Sequence, residues 1–220
     1  ESMKVLIACE YSGAVRDAFI KQGHDAMSCD LLPTDVEGPH YQGSVTDILN
    51  DGWDLMIAHP PCTYLAVSGN RWLYNKDGSK NEERWANRRE ALDFVRLLMN
   101  APIERIVVEN PVSVISSEIR KPDQIIQPWQ FGDEAQKTTC LWLKNLPKLK
   151  PTKIVGKGEF VTFKSGKKHP AWYAEAFAKA KTKAERQKLR SKTFQGIADA
   201  MAEQWGRKLC PLHQQQLELI

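Results

Sequence analysis

Cys62 stands in "AHPPCTY" (58–64), behind the apolar run "WDLMIA" and two prolines. A cysteine there is either a small buried hydrophobe or an exposed nucleophile, and the two predict different proteins. A second chemically loaded stretch is "RIVVEN" (105–110). Its apolar members should be buried, so the Glu109 carboxyl is expected on the floor of a cleft, where desolvation would raise its pKa and let it share or donate a proton. Asn110 comes directly after it. His59 reads only as a hydrogen-bonding residue near the Pro-Pro turn, not as a base. In "CEYSGAVRDAF", Gly13 marks a strand-to-helix turn, and a single glycine is a weak cofactor signal. Asp30 closes "DAMSCD" and either caps the next segment or accepts hydrogen bonds from two ribose hydroxyls. Asp47 in "VTDIL" is a surface charge or an adenine contact.

These residues need a scaffold, and hydrophobic periodicity supplies one. "MKVLIA" has strand length, and Val15, Ala18 and Phe19 set a helical spacing that stops at Gly23. "DAMSCDL" reads as a second strand, "GSVTDIL" as a third after a Pro/Gly-rich loop, and "WDLMIA" as a fourth. "NEERWANRREALDFVRLLMN" is an amphipathic helix with Trp85, Leu92, Val95 and Met99 near one stripe and Arg84, Arg88 and Glu90 off it. "RIVVEN" is the fifth strand. Strands alternating with helices imply an α/β fold: a doubly wound, mainly parallel sheet with helices on both faces. Ligands of such sheets bind beyond the carboxyl ends of the strands. The polar residues after each run should therefore share one site: Cys9, Glu10, Ser12 and Gly13, then Asp30, then His59 to Cys62, then Glu109 and Asn110.

Composition narrows the class. The 220 residues are 42% hydrophobic and 26% charged, which suits one domain with a small appendage. No apolar stretch nears the roughly 18 to 20 residues that span a bilayer, and Glu1 and Ser2 before Met3 read as an appended remnant. With no signal-peptide pattern, the expectation is a soluble, cytoplasmic protein without a membrane partner. Five cysteines scattered singly argue for reduced thiols, and "CPLH" (Cys210, His213) lacks the second pair a zinc site needs, so no metal is expected. Charge is uneven: residues 151–192 carry a net +9, residues 193–220 a net −1 and the first 150 a net −4. "KAKTKAERQKLRSK" is either a solvated helix face or a surface that contacts a phosphate backbone. No heptad run points to an obligate protein partner.

"PPC" at one strand end and "ENP" at the next resemble the cytosine carbon-5 methyltransferases that use S-adenosylmethionine, whose catalytic loop carries Pro-Cys and whose neighbouring strand ends in Glu-Asn. The resemblance covers roughly residues 3 to 147 and 190 to 205, and is nearest to short phage and prophage proteins. It implies a Rossmann-like methyltransferase core over 3–150, a small basic insert contacting nucleic acid over 151–192, and a C-terminal helix returning to the core over 193–220. It makes Cys62, Glu109 and Asn110 catalytic. Glu10, Tyr11, Ser12, Gly13, Asp30, Leu31, Asp47 and Pro60 would hold S-adenosylmethionine. Ser68, Arg71, Lys137, Thr138, Lys167 and Lys168 would contact DNA, in the host cytoplasm if the gene belongs to a phage.

The chain departs from the family in several places. Cys9 and Tyr11 stand where an aromatic residue and the first glycine of the cofactor loop are usual, Thr138 and Cys140 where two arginines are usual, and Asp199 where asparagine is usual. Lys137 is the candidate substitute for the missing charge. The 42 residues of the insert leave little room for target recognition, so specificity is expected to be short or loose.

The implied chemistry is thiolate addition to carbon 6 of cytosine, which makes carbon 5 nucleophilic, with Glu109 stabilising ring nitrogen 3 and Asn110 and Pro111 fixing its carboxylate. The base must be flipped out or already single-stranded. "TYLAVSGNRWLYNKDGSK" would close over it, with hinge freedom at Ser68, Gly69 and Asn70 and with Arg71 on a phosphate. A close alternative keeps the chemistry but changes the polymer to RNA, which the basic segment would serve equally well. Two further readings stay open: an amino-group methyltransferase, which carries Asp/Asn-Pro-Pro-aromatic and needs no thiol, and a catalytically degenerate nucleic-acid-binding protein.

Overall fold

The computed structural model describes residues 1–207, and Cys210 and His213 lie outside the described residues. In chain order the elements of the core are β1 (Lys4–Ala8), α1 (Ala14–Lys21), β2 (Asp25–Asp30), β3 (His40–Gln42), β4 (Leu55–Ala58), α2 (Glu82–Met99), β5 (Arg105–Asn110), α3 (Ile115–Glu118), β6 (Gln124–Ile126) and β7 (Thr139–Lys144). A hairpin of β8 (Phe160–Thr162) and β9 (Lys168–Pro170) comes next, then α4 (Ala171–Lys179), α5 (Lys183–Ser191) and α6 (Gln195–Trp205). Seven strands form one sheet in the order β3-β2-β1-β4-β5-β7-β6, and β7 alone runs against its neighbours. This is a doubly wound, mainly parallel α/β sheet with helices on both faces, as expected.

Alternation along the strands builds two cores. Val5, Ile7, Leu55, Ile57, Val107 and Leu141 face α1 and α6, where Phe19, Ile197, Met201 and Trp205 are buried. Leu6, Ala8, Met56, Ala58, Ile106 and Val108 face Leu92, Val95 and Leu98 of α2. Among the described residues no helix is long and apolar enough to cross a membrane.

Two local expectations need correction. The third strand is "HYQ", and "GSVTDIL" instead forms a 3-10 turn, Val45–Asp47, whose Ser44 side chain accepts the Thr46 N–H. Val45, Ile48 and Leu49 are apolar because that turn packs against the sheet, while β3 at the sheet edge is short and polar. Arg88 does not lie on a solvated face. It is buried, with Nε donating to the Tyr64 carbonyl (2.8 Å) and Nη2 to Asn70 Oδ1 (2.7 Å).

Candidate active site

Strand register assembles the site. Ala8 pairs with Cys29 on one side and with Ala58 on the other, and Ala58 pairs with Val108. The next residue of each strand therefore falls in one row across the sheet: Asp30, Cys9, His59 and Glu109. Because β7 is reversed, its leading residues Lys137 and Thr138 arrive at the same edge.

His59 Nδ1 and Glu109 Oε2 are 2.7 Å apart, and both side chains are largely buried. Burial alone would raise the Glu109 carboxyl, but the bond to His59 and the charges of His59 and Lys137 overcome it and hold the group below its ordinary value. The sequence-based expectation of a raised Glu109 is thus reversed, because it assumed desolvation without a cation alongside. His59 moves the other way: burial depresses it, yet Glu109 and the charge of Glu10 raise it above its ordinary value. The residue read as incidental is the immediate partner of the carboxylate. Its signal was a histidine at the last position before a Pro-Pro turn, in register with Glu109.

Asn110 does not fix that carboxylate. It is buried, and its Nδ2 donates to the Pro60 carbonyl (2.9 Å), so it ties the "PPC" turn to the end of β5. Further backbone bonds join the two loops, from Val114 N to the Leu65 carbonyl (3.0 Å) and from Val67 N to the Val112 carbonyl (3.3 Å). Cys62 is exposed at this junction as a free thiol. Surrounding atoms desolvate the sulfur although the residue keeps access to solvent, and that effect together with the Glu109 charge raises its pKa despite Lys137. Lys137 is itself lowered, first by burial, and its Nζ donates to the Arg190 carbonyl (2.8 Å). Thr138 is exposed and accepts from Gln127 Nε2 (2.8 Å).

At the β1 end, the buried Glu10 carboxylate accepts the Val15 N–H (2.9 Å) and the Arg16 N–H (3.2 Å), capping α1, and Ser12 Oγ accepts the Ala14 N–H (3.3 Å). Burial outweighs these bonds and raises the Glu10 pKa. Gly13 takes φ 77° and leaves no room for a side chain, since a Cβ would lie 2.7 Å from Arg16 Nη2. Arg16, which carries no signal in the sequence pattern, is fully buried. It donates to Ser28 Oγ, Thr34 Oγ1 and the carbonyls of Val36 and Glu37, all within 3.3 Å, and so fixes the loop after β2.

Asp30 is half-buried, with burial raising its pKa, and its Oδ1 accepts the Leu32 N–H (2.8 Å). Leu31 is 73% exposed beside it, and Asp47 accepts from Tyr41 OH (2.9 Å). Pro60 is buried. Ser68 and Arg71 sit in a 3-10 helix, Val67–Leu73, with Arg71 over the Trp72 ring. Of the expected hinge residues, Asn70 accepts a bond from Arg88, and Arg84 Nη2 donates to the Thr63 carbonyl at the start of the same loop (3.0 Å). Lys167 and Lys168 are exposed on the β8–β9 hairpin.

The basic segment lies across the row. Ser191 Oγ bonds Tyr11 OH (2.9 Å), Lys188 pairs with Asp35, and Gln187 Nε2 donates to Thr63 Oγ1 (3.3 Å). One helix end thus touches the loops after β1, β2 and β4. A larger cavity of about 330 Å³ lies to one side, lined by Trp172, Ala176, Leu189 and Phe194, and it holds none of the strand-end groups.

No protein-family model matches the sequence, and the search of curated proteins finds no match. Among solved structures the chain is similar to a candidate DNA modification methyltransferase encoded within an E. coli prophage, at 17% identity and a TM-score of 0.48, over 70% of this chain. The match takes in 52% of that protein, so the chain spans about half its length.

Proposed function

We propose that the protein is an S-adenosylmethionine-dependent methyltransferase that modifies carbon 5 of cytosine in DNA. The observation that carries this reading is the junction at the strand ends: an exposed Cys62, a largely buried Glu109 and an Asn110 that bonds the Pro60 carbonyl and binds the two loops together. An exocyclic amine needs no covalent activation, so an amino-group enzyme leaves the thiol without a task.

The residues suit the donor. Asp30 uses one oxygen locally, and a carboxylate offers about four acceptor positions, enough for ribose hydroxyls. Leu31 would lie against the base, and Tyr11, Ser12 and Gly13 line the approach. When bound, the donor supplies the electrophilic methyl group. The exposed Cys62 gives its proton to water and, as the thiolate, forms a bond to carbon 6 of the flipped cytosine. The ring electrons shift toward nitrogen 3, and a proton held between His59 and Glu109 neutralises the charge that develops there. Carbon 5 becomes the nucleophile and would take the methyl group as that group's bond to the donor's sulfur breaks; the carbon-5 proton then passes to water, ring nitrogen 3 returns its proton to the His59–Glu109 pair, and expulsion of the Cys62 thiolate restores the ring. Lys137 offsets negative charge on Cys62 and Glu109 during these steps.

The test is to supply donor with a labelled methyl group and DNA, digest the DNA to nucleosides and identify the product. Label on carbon 5 of deoxycytidine is the expected result. Label on adenine or on an amino group overturns the assignment, and label found only with RNA moves it to the other polymer.

A further inference from the structure

The imidazole of His59 has two ends with different fates. Nδ1 is committed to Glu109, whereas Nε2 is buried and has no hydrogen-bond partner. His59 lines a small cavity together with Glu10 and Ser12, and Ser191, Lys192 and Thr193 line it as well. We propose that His59 anchors the amino-acid end of the methyl donor: Nε2 donates to its α-carboxylate, and Glu10 faces its α-ammonium group. This rests on the methyl-transfer reading and names how that ligand is held.

Three observations support the assignment. First, the start of a helix usually offers free amides to an anion, but Glu10 already occupies those of Val15 and Arg16, and Ser12 that of Ala14. A carboxylate at this strand end must find another donor. Secondly, the His59 imidazole, Lys192 and the Glu10 carboxyl line one small space, so basic and acidic groups meet there, a pattern that matches a zwitterion and is wasted on a neutral group. Thirdly, Cys9 takes φ 59° and Tyr11 comes after Glu10, so the turn is tight where a glycine-rich loop would bring further amides to the ligand.

The charged imidazole donates through both nitrogens, which lets it bond Glu109 and a ligand carboxylate together. Glu109, Glu10 and Lys137 are charged groups whose fields reach it, Lys192 lines the same cavity, the Cys9 thiol is its neighbour in the strand-end row, and Cys62 follows it in the Pro-Pro turn. As it stands the cavity measures about 20 Å³, room for about one water molecule. The donor therefore enters by displacing the Ser191–Thr193 segment.

Calorimetry with two adenosine ligands provides the test: S-adenosylhomocysteine, which has the amino-acid end, and 5′-methylthioadenosine, which lacks it. In His59→Ala the first should bind about tenfold or more weakly, the loss expected for a charge-assisted hydrogen bond, while the second is unchanged. An equal loss for both ligands, or no loss, overturns the proposal, and methylthioadenosine binding reports that the variant is folded. Should that variant not fold, His59→Gln keeps one donor and is expected to show a smaller selective loss. For the wild type, S-adenosylhomocysteine affinity should fall as pH rises through the imidazolium pKa, with methylthioadenosine flat. Equal pH profiles contradict the anchor. If the wild type binds neither ligand, the methyl-transfer reading fails as well.

Discussion

His59 and Glu109 hold a proton between them across a bond of 2.7 Å, and the pair sets the pH behaviour of the site. The raised imidazole contributes stability that is complete below its unfolded value and is lost as pH rises through its folded one. The lowered carboxyl contributes stability above its unfolded value and loses it as pH falls through its folded one. The pair should stabilise the protein most between the ordinary values of Glu and His, about pH 4.3 to 6.5. Thermal melts of wild type and Glu109→Gln should differ most in that window and converge toward alkaline pH; a constant difference would contradict the pairing. Cys62 gives a second prediction. Since Glu109 helps to raise the thiol pKa, Glu109→Gln should increase the rate of Cys62 alkylation at a fixed neutral pH, read by mass spectrometry.

Elements are locked by close approaches that their residues permit. A Cβ on Gly196 in α6 would overlap the Phe131 carbonyl, and the Gly196 N–H bonds Asp133 Oδ2 (2.9 Å). Gly196→Ala should cost about 1–3 kcal/mol in urea denaturation, as overpacking does. Arg16→Met leaves Ser28, Thr34 and two carbonyls short of a donor, and is expected to cost on the order of 3 kcal/mol while loosening the loop that carries Asp30. By contrast, α5 is held over the site by exposed contacts, of which the Lys188–Asp35 pair is worth about 0.2–1 kcal/mol. Strong bonds fix the framework and weak ones fix its cover. β6 and β7 were not read as strands, whereas β1, β2, β4 and β5 were legible because buried strands read as apolar runs of strand length. The third strand was not, since an edge strand carries little apolar signal while a packed turn carries much. Gly196 and Arg16 were invisible for a related reason: each is set by a neighbour distant in sequence.

Across the whole molecule, an acidic body carries a basic cover, with a net +9 over residues 151–192. If exposed Lys167 and Lys168 each neutralise one phosphate, removing both should reduce the slope of log affinity against log salt by about 1.8 on duplex DNA or about 1.4 on a single strand. An unchanged slope would remove the hairpin from the interface. The strand-end row was readable from sequence because register in a parallel sheet brings the residues just past each strand into line. The sign of the Glu109 shift was not readable, because it depends on which neighbour the register delivers, and that neighbour is His59. Covalent attack by Cys62 is the central claim, and DNA containing 5-fluorocytosine tests it most directly. Fluorine cannot leave carbon 5 as a proton does, so with the donor present the protein should form an adduct that survives denaturing electrophoresis and is absent in Cys62→Ala. Adducts that persist in that variant, or methylation of ordinary DNA with no trapping on the fluorinated substrate, would contradict it.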